Sequence, residues 1–362
     1  MRKKGSMRSW KNARRSGAEN DEMTARVPEI DIAPLIDGSA TGKQSVARAI
    51  EAACTDTGFF TVVGHGIDAD LLSRTRKAAE SFFAAPESVK IKVLRPPQKI
   101  SRGWNPPEDR SLAYTLGEKT PPDLQEAWAM GPPGKAGGPY YDEGAGTTFF
   151  HPNKWPDVPE FREILESYFA AMTGLSHQML RGFALALGLP EDFFASQTDR
   201  PCSNIRLVRY PAQEKRPLPG QLRAGAHSDY GSFTFVKGDN VPGGLQVSNG
   251  KGGWHDVEAP ENGFVCNIGD AMQLWTGGRF RSTLHRVVNP PPDAAKRDRI
   301  SLVYFHLPNH DAVLGGIGDD TDTNDAPSFA EQYFGKLMKA AKSGDSGSSA
   351  TAADLVAGSA AE

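Results

Sequence analysis

The segment from Asn204 to Leu307 constrains the fold most. It is built of short apolar-alternating runs, broken by Gly or Pro every eight to twelve residues. Turns at that spacing leave room for strands of four to eight residues, so the segment reads as a β-sandwich or barrel. The chain carries 38 Gly and 27 Pro in 362 residues, a turn-rich composition that suits this better than a helical bundle.

Helices are expected around that core. Val46, Ile50 and Cys54 recur at i, i+4, i+8 in a helix from about Lys43, which Gly58 stops. Phe59 to Val63 read as a buried strand, and Val27 to Ile32 as a half-buried one. A second helix from Asp70 carries Leu72, Ala79, Phe82 and Phe83. The strongest helical pattern covers 159–187, where Ile164, Tyr168, Met172, Leu175, Met179, Phe183 and Leu187 form a single apolar stripe that reads as core. Residues 97–157 are rich in Pro and Gly and are expected to be long loops. The expected organisation is a basic leader over 1–26, an N-terminal region over 27–135 and a linker with the long helix over 136–200. A core over 201–310, a helical segment over 311–340 and a disordered tail over 341–362 complete it.

Charge excludes some functions. Lys and Arg total 41 against 44 Asp and Glu, a net of −3, which does not suit a nucleic-acid binder. Seven of the 41 bases fall in the first fifteen residues without an apolar stretch behind them, so this is not a secretory signal. A disordered leader, or translation from Met7 or Met23, is the expectation, with an organelle-targeting peptide as the other reading. The three cysteines, Cys54, Cys202 and Cys266, are too few and too far apart for a disulfide framework or a zinc knuckle, and point to a reducing, cytoplasmic setting. No run of about 18 apolar residues asks for a membrane.

Of eight histidines only His227 lies in an H-x-D triplet, with Asp229. On a strand, residues i and i+2 share a face, so both side chains can enter one cavity. His285 follows 56 positions after Asp229. Two imidazoles and a carboxylate form the facial triad that suits non-haem Fe(II) and leaves positions open for oxygen and a substrate-derived ligand. A bare H-x-D is weak evidence, but Arg299 and Ser301 follow on one face of an apolar strand. An inward guanidinium without an anion would be costly, so the pair predicts a bound carboxylate; an exposed edge strand with a snorkelling Arg is the alternative. By the same parity Arg206, Val208 and Tyr210 share a pocket face, which makes Arg206 a candidate anion contact for substrate or else a surface charge. Trp104 is a candidate substrate-facing aromatic, and Phe233 a candidate near the site with core packing as its default.

Ala226-His227-Ser228-Asp229-Tyr230-Gly231 resembles the first half of the iron site of the isopenicillin N synthase-like family, which includes the 2-oxoglutarate/Fe(II) dioxygenases. Gly243-Gly244-Leu245-Gln246-Val247, Trp254, Asn267-Ile268-Gly269-Asp270, Trp275-Thr276-Gly277-Gly278-Arg279, His285-Arg286-Val287 and Arg299-Ile300-Ser301 match further motifs in the same order. Upstream, Gly58-Phe59-Phe60, Gly64-His65-Gly66 and Arg102-Gly103-Trp104 extend the resemblance, which spans about residues 27 to 310. It implies a mainly β, α+β fold: a double-stranded β-helix (jelly-roll) core with flanking helices. It implies Fe(II) on His227, Asp229 and His285. It also implies 2-oxoglutarate, whose distal carboxylate meets Arg299 and Ser301 beside Tyr210, and O2 as co-substrate. The family often has Asn two residues before that tyrosine, where this chain has Val208.

The expected activity is oxidation of a small molecule, by hydroxylation, desaturation or ring closure, with release of succinate and CO2, by a monomer. Three rivals stay open: an oxidase of the isopenicillin N synthase type that uses no 2-oxoglutarate, an ethylene-forming fragmentation of 2-oxoglutarate, and a non-catalytic jelly-roll ligand-binding module.

Overall fold

A computed structural model describes residues 27–97, 100–109, 111–134, 136–239, 243–317 and 325–344. The expected leader and the tail beyond 344 lie outside the described residues. Twelve strands are described: β1 Glu29–Asp31, β2 Phe59–Val63, β3 Gly103–Asn105, β4 Glu126–Met130, β5 Asn204–Tyr210, β6 Ala224–His227, β7 Phe233–Lys237, β8 Leu245–Ser248, β9 Trp254–Val257, β10 Phe264–Ile268, β11 His285–Val287 and β12 Arg299–His306.

They form two sheets. The larger has the order β1-β2-β10-β7-β12-β5-β4-β3 and the smaller β6-β11-β8-β9. From β5 onward the chain crosses back and forth between the sheets, and only β8 and β9 follow each other within one; this is the winding of a jelly roll. Strands β2 and β4, from the N-terminal region, pair directly with the core strands β10 and β5.

Strand alternation gives the large sheet two different apolar faces. Ile205 and Leu207 of β5, Phe233 and Phe235 of β7, and Ile300, Leu302 and Tyr304 of β12 pack in one cluster with the helices. The helix Phe161–Ala186 supplies Ile164, Tyr168, Met172, Leu175, Met179 and Phe183 to that cluster, as the 159–187 stripe predicts. The opposite face carries Val208, Tyr210 and Val303, packed against Ala224, Leu245, Val247, Val257 and Val287 of the small sheet. The functional residues lie on this inner face.

The expectation of loops over 97–157 is corrected. The segment contains β3, β4 and the short helices Pro139–Asp142 and Ala145–Phe149. Elements of three to five residues are too short to show a period. Arg102 fixes the segment from within. It is 3% exposed and donates to the carbonyls of Ser101, Phe149 and His151. The expected C-terminal helical segment is the helix Phe329–Gly344, which runs past the boundary at 340.

Candidate metal centre and co-substrate pocket

His227 ends β6 and His285 begins β11, and the two are register partners in the antiparallel pair. Their rings stand 4.3 Å apart, centroid to centroid. Asp229 lies just beyond β6, with Oδ1 3.7 Å from Nε2 of His227 and 3.6 Å from Nε2 of His285. One ligand atom from each of the three falls within 4.8 Å of the others. The structure therefore brings together three residues separated by up to 58 positions of sequence.

Surrounding groups aim these donors. Nδ1 of His227 lies 2.8 Å from the Gly225 carbonyl and Nδ1 of His285 lies 3.1 Å from that of Thr283, which leaves each Nε2 to the shared point. Oδ2 of Asp229 accepts from Thr234 Oγ1 at 2.6 Å and from Asn267 Nδ2 at 2.8 Å, so Oδ1 is the oxygen that faces the imidazoles. Thr234 and Asn267 are themselves register partners on β7 and β10, and the next partner in that row, Phe59 of β2, meets the His285 ring edge-on at 5.5 Å. The backbone N–H of Asp270 donates to the Asp229 carbonyl at 2.8 Å and secures the turn after β6.

Electrostatics favour a cation there. Burial, and then the neighbouring His285, push the His227 imidazole down to about 3, so it is neutral with its lone pair available. Burial opposes ionisation of Asp229, but the two imidazoles together with Asn267 and Thr234 outweigh it and hold the carboxyl below its usual range. Two imidazole nitrogens and one buried carboxylate on a single side of a point are a donor set that fits Fe(II).

Thr234 and Asn267 escaped the sequence reading. Thr234 is the polar residue between two phenylalanines of β7, a parity signal for an inward hydroxyl, and Asn267 lies inside a motif quoted for other reasons. Replacing Asn267 by leucine is expected to weaken Co(II) binding about 10- to 100-fold, the usual cost of losing a group that orients a ligand. Titration of the cobalt absorption band checks this, and an unchanged affinity would show that Thr234 alone fixes the carboxylate.

The second pocket lies between β5 and β12. Register pairs Tyr210 with Arg299, Val208 with Ser301 and Arg206 with Val303, so Arg206, Val208, Tyr210, Arg299 and Ser301 share the inner face. Arg299 and Ser301 are 7% and 3% exposed. The guanidinium donates from Nη1 to the Asp239 carbonyl. Asp239 in turn accepts from the Ile300 N–H at 2.7 Å and pairs with Arg76. Burial draws the Arg299 pKa below its ordinary value, against the pull of Tyr210 and Asp239, and burial raises the Tyr210 phenol. The backbone comes close at Gly238, where a Cβ would sit 2.5 Å from Nη2 of Arg299. A rigid buried fork beside a hydroxyl can hold a carboxylate through two parallel bonds.

Two expected site residues are placed elsewhere. Trp104 pairs with Trp128 across β3 and β4 on the helix-facing side, is 4% exposed, and gives its indole N–H to Glu126 at 2.8 Å. Phe233 is fully buried on that same side, stacked on His306 at 4.6 Å and against Phe183. Neither faces the metal centre; both belong to the core that supports it.

Comparisons with known proteins follow the same division. Residues 27–158 match the N-terminal family described as non-haem dioxygenase in morphine synthesis, and residues 201–308 match the 2OG-Fe(II) oxygenase superfamily. The chain is 35% identical over 302 residues to a homoarginine-6-hydroxylase of Arabidopsis thaliana, covering 80% of this chain and 86% of that one. It is 33% identical over 297 residues to validamycin A dioxygenase of Streptomyces hygroscopicus subsp. limoneus, covering 81% and 80%. Among solved structures, a full-length Neurospora crassa protein in complex with alpha-KG superposes with a TM-score of 0.71 at 27% identity, over 85% of this chain and 94% of the other. Triad, jelly roll and relatives agree: the chain belongs to the isopenicillin N synthase-like family of 2-oxoglutarate/Fe(II)-dependent dioxygenases.

Proposed function

We propose that the enzyme hydroxylates a C–H bond of a small polar molecule that carries a carboxylate, an amino acid or a compound of that kind. Bound ferrous iron and 2-oxoglutarate supply the oxidising chemistry, in which O2 is reduced as the keto acid becomes succinate and CO2. In this reading His227, Asp229 and His285 hold the metal, Arg299 and Ser301 hold the distal carboxylate of 2-oxoglutarate, and Tyr210 closes that pocket.

The observation that carries the substrate class is Arg206. Its side chain stands on the inner face of β5, and it lines a small recess together with Asn105, Asp109, Leu112, Gln125 and Ala127. A recess lined by a guanidinium and two amides, with Asp109 held by Arg95 at 2.6 Å, suits a carboxylate-bearing molecule better than a hydrocarbon. The homoarginine-6-hydroxylase among the relatives supports the same class. Val208, apolar where the family often has Asn, packs in the cluster between the sheets, which leaves Arg206 to supply the polar contact on this strand. The three cysteines, all free and buried, support a reducing cytoplasmic setting, and among the described residues no helix is long and apolar enough to cross a membrane.

The test is 2-oxoglutarate turnover, read as succinate, against amino acids, peptides, terpenoid acids and flavonoid-like phenolics. Amino acids are expected to stimulate succinate release with matching product. Arg206→Met should raise KM for the active substrate about 10-fold or more, as expected for loss of one charge-assisted bond of about 1.5–3 kcal/mol, with KM for 2-oxoglutarate unchanged. Stimulation by phenolics alone, or an Arg206→Met enzyme with normal KM, would overturn the assignment.

A further inference from the structure

The C-terminal helix Phe329–Gly344 packs beside the metal centre. Phe329 and Phe334 are buried, and Tyr333 packs against Phe149 at 5.0 Å and against Tyr230, one residue after Asp229, at 4.9 Å. From this helix Lys336 projects inward, its side chain 14% exposed, and lies 4.5 Å from the centre of the Tyr230 ring. Its ammonium donates to the Ser228 carbonyl at 2.8 Å, to Ser228 Oγ at 2.9 Å and to Asp270 Oδ2 at 2.6 Å. An ammonium has three hydrogens, and these three acceptors use them all.

The acceptors are what matter. Ser228 is the residue between two of the ligands. Asp270 donates its backbone N–H to the carbonyl of Asp229, and its Oδ1 accepts from Ser282 at 2.6 Å, three residues before His285. The partners of one ammonium therefore adjoin all three metal ligands. We propose that Lys336 is a positioning residue for the metal centre: it couples docking of the C-terminal helix to the geometry of the His227–Asp229 turn. This goes beyond the substrate reading and is independent of which molecule is oxidised.

Three effects of Lys336 can be separated by sign. If the ammonium acted only through its charge, which tends to disfavour a cation on His227 and Asp229, its removal would tighten metal binding. If it only docked the helix, its removal would lower the melting temperature and leave affinity alone. If it positions the turn, its removal weakens metal binding, because the ligands lose their preset arrangement.

The experiment uses the full chain with Co(II), which is stable in air, read by its absorption band. Lys336→Met is expected to raise the Co(II) Kd about 10-fold or more and to shift the band, and Lys336→Arg to recover part of both. Phe334→Ala, which loosens helix docking but keeps the ammonium, should lower the melting temperature and raise the Co(II) Kd by less than Lys336→Met does. A tighter or unchanged Kd in Lys336→Met overturns the proposal. Should that variant fold poorly, wild-type protein still decides: coupling is reciprocal, so saturating Co(II) must slow hydrogen exchange of amides in 329–344. Exchange that ignores the metal would equally refute it.

Discussion

Asparagine in place of Asp229 is expected to remove nearly all turnover and most metal affinity while the fold survives. The substitution is isosteric, so the packing around Asp229, which is 4% exposed, is kept. The loss comes from a conflict over which amide atom faces where. In the native arrangement Oδ2 accepts from Thr234 and Asn267 while Oδ1 faces both imidazoles. An amide whose oxygen takes the two donors must turn its NH2 toward the metal position, where a lone pair is needed. An amide turned the other way sets its NH2 against two donors in a buried site, and an unmet buried pair costs about 1–3 kcal/mol. Either way the negative charge is gone. A metal contributes several kcal/mol of barrier lowering, and each 1.36 kcal/mol is tenfold in rate, so a drop of roughly a thousandfold is expected. Succinate release and Co(II) titration measure it, with a thermal melt confirming the fold. A variant that keeps a tenth of native turnover would remove Asp229 from the metal centre.

Strand parity makes part of this site legible in the sequence. Alternation along β5 separates Arg206, Val208 and Tyr210 from Leu207 and Arg209, as the register with β12 requires, whereas β6 ends at His227 and Asp229 reaches the same point from the turn beyond it, not by alternation along a strand. Parity says which residues share a face and not which face is inward. Phe233 illustrates this, because β7 has phenylalanines on one face and Thr234 and Val236 on the other, and the hydroxyl against Asp229 decides between them. Trp104 failed for a different reason. Its environment is assembled from Lys90, Glu126 and Arg209, three distant positions that bury one carboxylate among two cations and an indole. Nothing within a three-residue strand signals that network. Asp239 and Arg76, which fix the loop against Arg299, and Lys336, which fixes the turn between the ligands, are long-range in the same sense. Local pattern reveals ligands, while the groups that orient ligands arrive from elsewhere in the chain.

Glutamine in place of Arg299 is expected to raise KM for 2-oxoglutarate about 100-fold and to leave metal affinity near native. Two charge-assisted bonds from one guanidinium contribute about 1.5–3 kcal/mol each, and a net loss near 3 kcal/mol is about two powers of ten. The effect should be confined to the co-substrate, because Arg299 and the triad hang on separate supports. Arg299 is set by Asp239, whose ion pair with Arg76 remains when the guanidinium is removed, whereas Asp229 is set by Thr234 and Asn267. Lysine at 299 keeps the charge without the fork and should fall between the two, since a point charge cannot bond both carboxylate oxygens in one plane. Gly238→Ala offers an independent approach: its Cβ would meet Nη2 of Arg299, so displacing the fork without deleting it should also raise KM for 2-oxoglutarate. The same series addresses the oxidase rival. If Arg299 held the carboxylate of the primary substrate instead, Arg299→Gln would raise the KM of that substrate, and no succinate would accompany product even in the native enzyme. An anaerobic titration of the Fe(II) protein with 2-oxoglutarate, followed by its visible charge-transfer band, reads the co-substrate Kd without turnover. A native Kd in Arg299→Gln would place the distal carboxylate on some other cation.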